Sequence, residues 1–186
     1  MFKVVLMYEK EIEVPEAVKA EVTGNRIKIT GEKGEIEKEF PGMHDVKIAL
    51  DKNKIKVSSE SERRKVKSSV GTVIAHVRNM VHGVTRGYTY KLRVVYSHFP
   101  VTVKVDEANR QVLVQNFLGE KTPRTAKIVG STKVEAKAAD ITVTGPNLDD
   151  VAQTAANMEQ ATKIKHHDRK VFQDGIYLTE KERGKD

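Results

Sequence analysis

Six histidines, at positions 44, 76, 82, 98, 166 and 167, are the side chains best suited to move a proton or hold a metal near neutral pH. Their spacing supports neither use. No HExxH or comparable ligand pair is present, and His76 and His82, six apart, fall on different faces of a helix. Cysteine is absent, so no thiolate metal site and no disulfide framework is available, and a reducing compartment is expected. The chain has no GxSxG elbow, no GxxxxGK[ST] phosphate loop and no GxGxxG turn, and GEKGE and GEKTPR lack those spacings. Carboxylates alternate with lysines along strand-like segments, the pattern of a solvated face rather than of a general acid/base pair. No catalytic residue, no metal and no cofactor is expected.

What the residue types do offer is phosphate chemistry. With 33 Lys+Arg against 26 Asp+Glu, the net charge of +7 favours polyanionic partners. The surplus is concentrated. Residues 1–61 hold 11 cations and 12 acids, whereas residues 62–93 set Arg63, Arg64, Lys65, Lys67, Arg78, Arg86, Lys91 and Arg93 against Glu62 alone. A local excess of this kind builds a potential that phosphates follow, and it marks Arg64, Lys67, Arg86, Lys91 and Arg93 as candidate contacts. Within GYTYKLRVVYSHFPVTV, Tyr88, Tyr90, Leu92, Val94 and Tyr96 share one apolar, inward strand face while Lys91 and Arg93 take the outward one, and Tyr88 is counted with the cations as an aromatic candidate. This segment reads as the closing strand of the first half, handing over at residues 97–100. Two further groups lie downstream. Lys121 and Arg124 are expected to project from a hairpin tip in NFLGEKTPR, where Gly119 suits a tight turn and Pro123 fixes direction. Lys165, His166, His167, Arg169 and Lys170, with Lys163, form a basic entry to KVFQDGIYL, where Gly175 lets the chain turn and Phe172 and Tyr177 can pack or stack.

These residues need elements to hold them. Val66, Val70, Val73, Ile74, Val77 and Val81 form one apolar stripe, predicting a helix at about 62–82 with Arg63, Arg64, Lys67 and Arg78 away from the stripe. A second helix is expected at about 147–162. Asn147 is its cap, Asp149 and Asp150 lie at the positive end of its dipole, and Leu148, Val151, Ala152, Ala155 and Met158 form its stripe. The segments VKAEV, RIKIT, EIEKEF, VKIAL and KIKVS, then TVKV, QVLVQNF, KIVG, VEAK and DITVT, alternate as half-buried antiparallel strands do.

The pattern occurs twice. KIALDKNKIKV at 47–57 resembles KVEAKAADITV at 133–143, an offset of 86, and TGNRIKITGEKGE resembles EANRQVLVQNFLGEKT at offsets of 84 and 88. The expectation is an α+β chain, a tandem duplication of a small domain with an antiparallel hairpin-rich sheet and one packed helix. The domains run from 1 to 85 and from 86 to 163, followed by a C-terminal tail from 164 to 186. That tail is expected to gain order on a partner. The opening MFKVVLMYEKEIE has only five apolar residues in a row, too short for a secretory core, and the longest uncharged runs are ten residues against the roughly 20 that span a bilayer. A soluble cytoplasmic protein without a membrane partner is expected.

The ordered segments EVPEAVKAEVTGNRIKITGEKGE, SSVGTVIAHVRNMVHGVTRGYTYKLRVVYSHFPVTV, NFLGEKTPR, ITVTGPNLDDVAQTAANMEQ and RKVFQDGIYL resemble the large-ribosomal-subunit protein L-six family. The likeness is to its archaeal and eukaryotic branch, and it runs over essentially the whole chain. The resemblance implies a structural constituent of the large ribosomal subunit without catalytic activity. It also implies contact with large-subunit (23S-type) rRNA and neighbouring ribosomal proteins at the stalk base, near the sarcin-ricin loop and the docking region of translational GTPase factors. The tip of NFLGEKTPR and the basic tail are then expected to meet rRNA. The bacterial branch ends differently, so its tail contacts do not carry over. The competing readings are a free-standing RNA-binding protein, an RNA-modifying enzyme, which lacks its cofactor loop here, and a protein-interaction adaptor, which would bind RNA weakly.

Overall fold

Strand-period alternation followed by one helical stripe organises each half of the chain. The computed structural model describes residues 8–15, 17–42, 45–51, 53–59, 61, 63–165, 168 and 170–183, and the chain divides into two units, Met1–Thr85 and Arg86–Asp186.

The first unit contains β1 (Tyr8–Glu13), β2 (Lys19–Thr23), β3 (Arg26–Gly31), β4 (Gly34–Glu39), β5 (Lys47–Asp51), β6 (Lys54–Ser59) and α1 (Arg64–Thr85). They form two three-stranded antiparallel sheets, ordered β1-β6-β5 and β2-β3-β4. The register places Ile12 opposite Ile55 and Ile29 opposite Ile36, so that apolar residues share a face. Ile27, Ile29, Ile55 and Val57 are fully buried against Val70, Val73 and Val77 of α1. All six residues of the expected helical stripe are buried, joined by Met80 and Val84. The helix runs three residues beyond the expected end, and Thr85 closes it by donating its hydroxyl to the carbonyls of Val81 and His82. Its last turn lies so close to the β3–β4 turn that a Cβ on Gly31 would come within 2.8 Å of Val84. The Lys33 amide donates to the Val84 carbonyl there.

The second unit contains β7 (Tyr88–Val95), β8 (Thr102–Asp106), β9 (Gln111–Gln115), β10 (Arg124–Lys127), β11 (Lys133–Lys137), β12 (Asp140–Gly145), α2 (Leu148–Ala161) and β13 (Gly175–Arg183). Its sheets are ordered β10-β9-β8 and β11-β12-β7-β13. The strand order of the first unit is thus repeated, with β13 added on the free side of β7. The duplicated α+β architecture is present, and Asn147 caps α2 by accepting from the Asp149 amide.

Four expectations differ from the structure. GYTYKLRVV does not close the first half. It is β7, paired with β12 and β13 inside the second unit, because its buried residues Tyr88, Tyr90, Leu92 and Val94 belong to that unit's core. The tail is no separate segment, since Gly175–Arg183 forms a strand whose Ile176 is only 2% exposed. The segment KIVG contributes only Lys127 to a strand, as β10 begins directly after Pro123. Past it, the Ile128 amide bonds the Arg110 carbonyl and the Val129 amide bonds the Thr154 hydroxyl. β1 was not expected at all, because four of its six residues are charged.

Candidate nucleic-acid interface

On α1 the stripe buries one side and leaves Arg64, Lys65, Lys67 and Arg78 exposed, with Arg63 exposed just ahead of the helix. Lys67 lies over the Tyr8 ring at 5.7 Å, and no ion pair engages Arg63, Arg64, Lys65 or Arg78 among the described residues. Arg64 and Lys67 therefore sit where the stripe places them, on a cationic face open to a polyanion. Arg86 is exposed just ahead of β7.

The cations of β7 are placed differently. Lys91 donates to Glu182 at 2.8 Å and to Glu180 at 2.9 Å, both on β13. These two carboxylates raise the lysine's pKa far above its ordinary value, Glu182 first. Arg93 lies 3.6 Å from Asp140 on β12. Each cation expected to face a polyanion is met by acids from a neighbouring strand, which a single-window reading did not include. Tyr88 is corrected more sharply. It is 2% exposed in the core, where burial pushes its phenol pKa up, so its ring offers no face to a base.

Arg124 does not project from the loop. Its Nε and an Nη grip Glu120 at 2.8 and 2.6 Å, the other Nη donates to the carbonyls of Ala161 and Lys163, and its guanidinium lies 4.4 Å from the Phe117 ring centroid. The guanidinium ties the β9–β10 loop to the end of α2 and holds the Glu120 carboxyl below its ordinary value. Left-handed backbone at Asn116, Leu118 and Gly119 shapes this loop, and Asn116 pins it by donating to the Pro100 carbonyl. Lys121 is exposed, as expected. Beside the clamp lies a cavity of about 600 Å³ lined by Arg124, Lys163 and Lys165, whose one carboxylate among the described residues, Glu120, is already engaged. It brings Arg124 of the loop together with Lys163 and Lys165, the start of the basic entry to the tail. Lys170 is exposed nearby in sequence, and His166, His167 and Arg169 lie outside the described residues.

A second groove, of about 420 Å³, shares Gln160 and Lys163 with the first and is walled by Phe172, Tyr177, Ile164 and Ile176. Phe172 stacks on His98 with centroids 4.4 Å apart, and Tyr177, 47% exposed, donates its hydroxyl to the Gln173 carbonyl. Gly175 serves close approach rather than a turn. Its φ is not positive, and a Cβ there would stand 3.1 Å from the Tyr177 ring. Asp174, buried at this groove, accepts from the Ser97 amide and bonds His98 Nδ1. Sequence reasoning missed Asp174 and Glu159 at this groove. A lone aspartate 76 residues from its histidine carries no local signal.

No group of three or more His, Cys, Asp or Glu side chains suited to a metal occurs among the described residues, and none of their helices is long and apolar enough to cross a membrane. The family model for ribosomal protein L6 matches residues 14–87 and 99–175, one match over each half of the chain. The chain is 48% identical over 179 residues to large ribosomal subunit protein uL6 of Staphylothermus marinus, covering 96% of both chains. It is 47% identical over 180 residues to the protein of that name from Sulfurisphaera tokodaii, covering 97% of this chain and 95% of that one. The namesake from Methanobrevibacter smithii is 46% identical over 173 residues, covering 93% and 96%. Matched in both halves and aligned nearly end to end with these proteins, the chain belongs to the ribosomal protein L6 family.

Proposed function

We propose that this protein is a structural constituent of the large ribosomal subunit that holds rRNA chiefly through phosphate and sugar contacts. It is not an enzyme, in keeping with its family. The observation that carries the RNA reading is the cavity where Lys163 and Lys165 gather and where Glu120, the one lining carboxylate among the described residues, is neutralised by Arg124; Lys121, in the same loop as Glu120, is exposed. The exposed cations of α1 supply a second basic face. Folded rRNA presents a fixed backbone surface, and A-form major grooves are closed to side chains, so shape and phosphate charge select the site. We place that site near the stalk base and the sarcin-ricin loop, beside neighbouring ribosomal proteins and the region where translational GTPases dock, on cytoplasmic ribosomes. The candidate contacts are Arg64, Lys67, Arg86, Lys121, Lys165 and Lys170, with Phe172 and Tyr177 as aromatic surfaces. Lys91, Arg93 and Arg124 serve mainly the protein's own fold.

Binding of the full chain to large-subunit rRNA, with hydroxyl-radical footprinting across a salt series, tests this. Affinity should fall steeply with salt, and Lys121→Ala and Lys165→Ala should each flatten the log–log slope by about 1. Their thermal stability should change by less than about 0.5 kcal/mol. Salt-independent affinity would overturn the mechanism, and a footprint away from the stalk base would overturn the location. RNA binding without co-sedimentation with large subunits would favour a free-standing RNA-binding protein.

A further inference from the structure

We propose that the groove between the end of α2 and the start of β13 receives one unpaired guanine of the bound RNA. The proposal rests on the RNA-binding reading above and adds base recognition to what is otherwise a backbone contact. The groove's hydrogen-bonding groups are unevenly used. The Thr162 hydroxyl donates to the Met158 carbonyl and accepts from the Ile176 amide, so it is spent on the fold. The Tyr177 hydroxyl is likewise engaged with the Gln173 carbonyl. Two carboxylates retain capacity. Asp174 is 1% exposed and lines the groove, and both of its protein bonds, from Ser97 and His98, go to Oδ1, leaving Oδ2 buried with no partner. Glu159, which also lines the groove, accepts from the Leu178 amide through Oε1. A buried carboxylate oxygen without a donor is costly and rare in native structures, so a ligand whose N–H groups reach it as the groove opens gains from filling it.

Guanine fits this arrangement. It presents two adjacent donors, N1–H and N2–H₂, beside the O6 acceptor, and among the unmodified bases only guanine has two neighbouring donor groups on its pairing edge. Asp174 and Glu159 supply acceptors for them, while Gln160 and Lys163 supply donors for O6. The walls are Phe172, Ile164, Ile176 and the exposed Tyr177 ring, surfaces on which a base stacks. Gln160 and Lys163 also line the neighbouring cavity with Arg124 and Lys165, so a base in the groove has a cationic pocket next to it for its phosphate. The same cations disfavour a basic protein extension, the other occupant that carboxylates attract.

Kethoxal, which modifies N1 and N2 of unpaired guanine, is the direct probe, applied to archaeal large-subunit rRNA with and without the full-length protein. Wild-type protein should protect one unpaired guanine, and inosine at that nucleotide, lacking N2, should weaken binding roughly tenfold. Asp174→Asn keeps an acceptor for Ser97 and turns an amide N–H₂ toward the base. It should abolish the protection while hydroxyl-radical protection of the backbone persists. Tyr177→Ala, at an exposed position that spares the core, should weaken binding by a similar factor through lost stacking. Backbone protection without any protected guanine, or guanine protection unchanged in Asp174→Asn, would overturn the guanine site and leave the RNA reading intact. Displacement of nothing but an arginine-rich peptide from the groove would also overturn it. Absence of any rRNA binding would instead overturn the RNA reading on which the site rests.

Discussion

β1 and β7 hold corresponding places in the two units, each pairing with the last strand before the helix, yet they end with different neighbours. Among the described residues β1 pairs with β6 alone, whereas β7 is enclosed by β12 and β13. Their sequences anticipate the difference. YEKEIE carries four charges in six residues and blunts its own free edge, while YTYKLRVV is aromatic and β-branched, an edge that invites pairing with another chain. The tail therefore completes the second sheet and is no appendage. A duplicated fold can diverge by protecting an edge with charge in one copy and with an added strand in the other.

The sharpest way to break this comparison is to remove residues 175–186. The truncated chain loses the buried Ile176, the whole β13 ladder and the strand to which Asp174 ties residues 97 and 98. The expected loss is on the order of 5 kcal/mol, comparable with the entire stability of a domain this size. Amide exchange should show the second unit unprotected or aggregated and the first unit unchanged. Equal protection in both units would return the tail to a passive role.

A more conservative test uses matched core positions. Ile55 in β6 and Ile141 in β12 are both fully buried, and the repeat aligns them. Ile55→Ala and Ile141→Ala should each destabilise by about 2–5 kcal/mol, each acting on its own unit. Costs differing by more than that range, or a single shared transition, would mean that the copies no longer pack alike.

How much of this was legible follows from the range of the interactions. Helical stripes such as Val66 to Val81, the Asn147 cap and the duplication are written in local periodicity, and they were read with ends shifted by one to three residues. Pairings across the chain were not. Lys91 and Arg93 look free in sequence because Glu180, Glu182 and Asp140 lie 47 to 91 residues away. Alternation puts Tyr88 on the inward face with Leu92 and Val94, and its place among cations does not override that signal. Arg124 reads as a protruding tip even with Glu120 four residues away, because the carbonyls of Ala161 and Lys163 that complete its clamp belong to the backbone and leave no trace in residue type.

Arg124 gives the next prediction. Arg124→Lys keeps the charge but cannot grip Glu120 with two nitrogens while also reaching both carbonyls. The expected cost is about 1–3 kcal/mol in the second unit, read as a fall in its Tm. A residue acting only on phosphate would leave Tm unchanged and lower the RNA salt slope instead.

The smallest effect contrasts the two corresponding hairpin loops. In the first unit the β3–β4 turn is anchored by a backbone bond, Lys33 amide to Val84 carbonyl, which does not titrate. In the second, the β9–β10 loop is anchored through Glu120 and Arg124, and the guanidinium lowers the Glu120 pKa from its ordinary 4.5. A carboxylate whose folded pKa is depressed contributes stability that is fully present above its unfolded pKa and is lost as pH falls through the lowered folded value. Acidification from neutrality should therefore change nothing until below about pH 5, then progressively free residues 116–123, while residues 31–34 hold their protection. The partly exposed pair is screened by solvent, so the change is local and global unfolding does not accompany it at its onset. NMR titration of the Glu120 carboxyl with amide exchange of both loops checks the sign, and Glu120→Gln should remove the pH dependence of the second loop. Loosening of both loops over the same pH range would show that general acid expansion, and not this one pair, governs the β9–β10 connection.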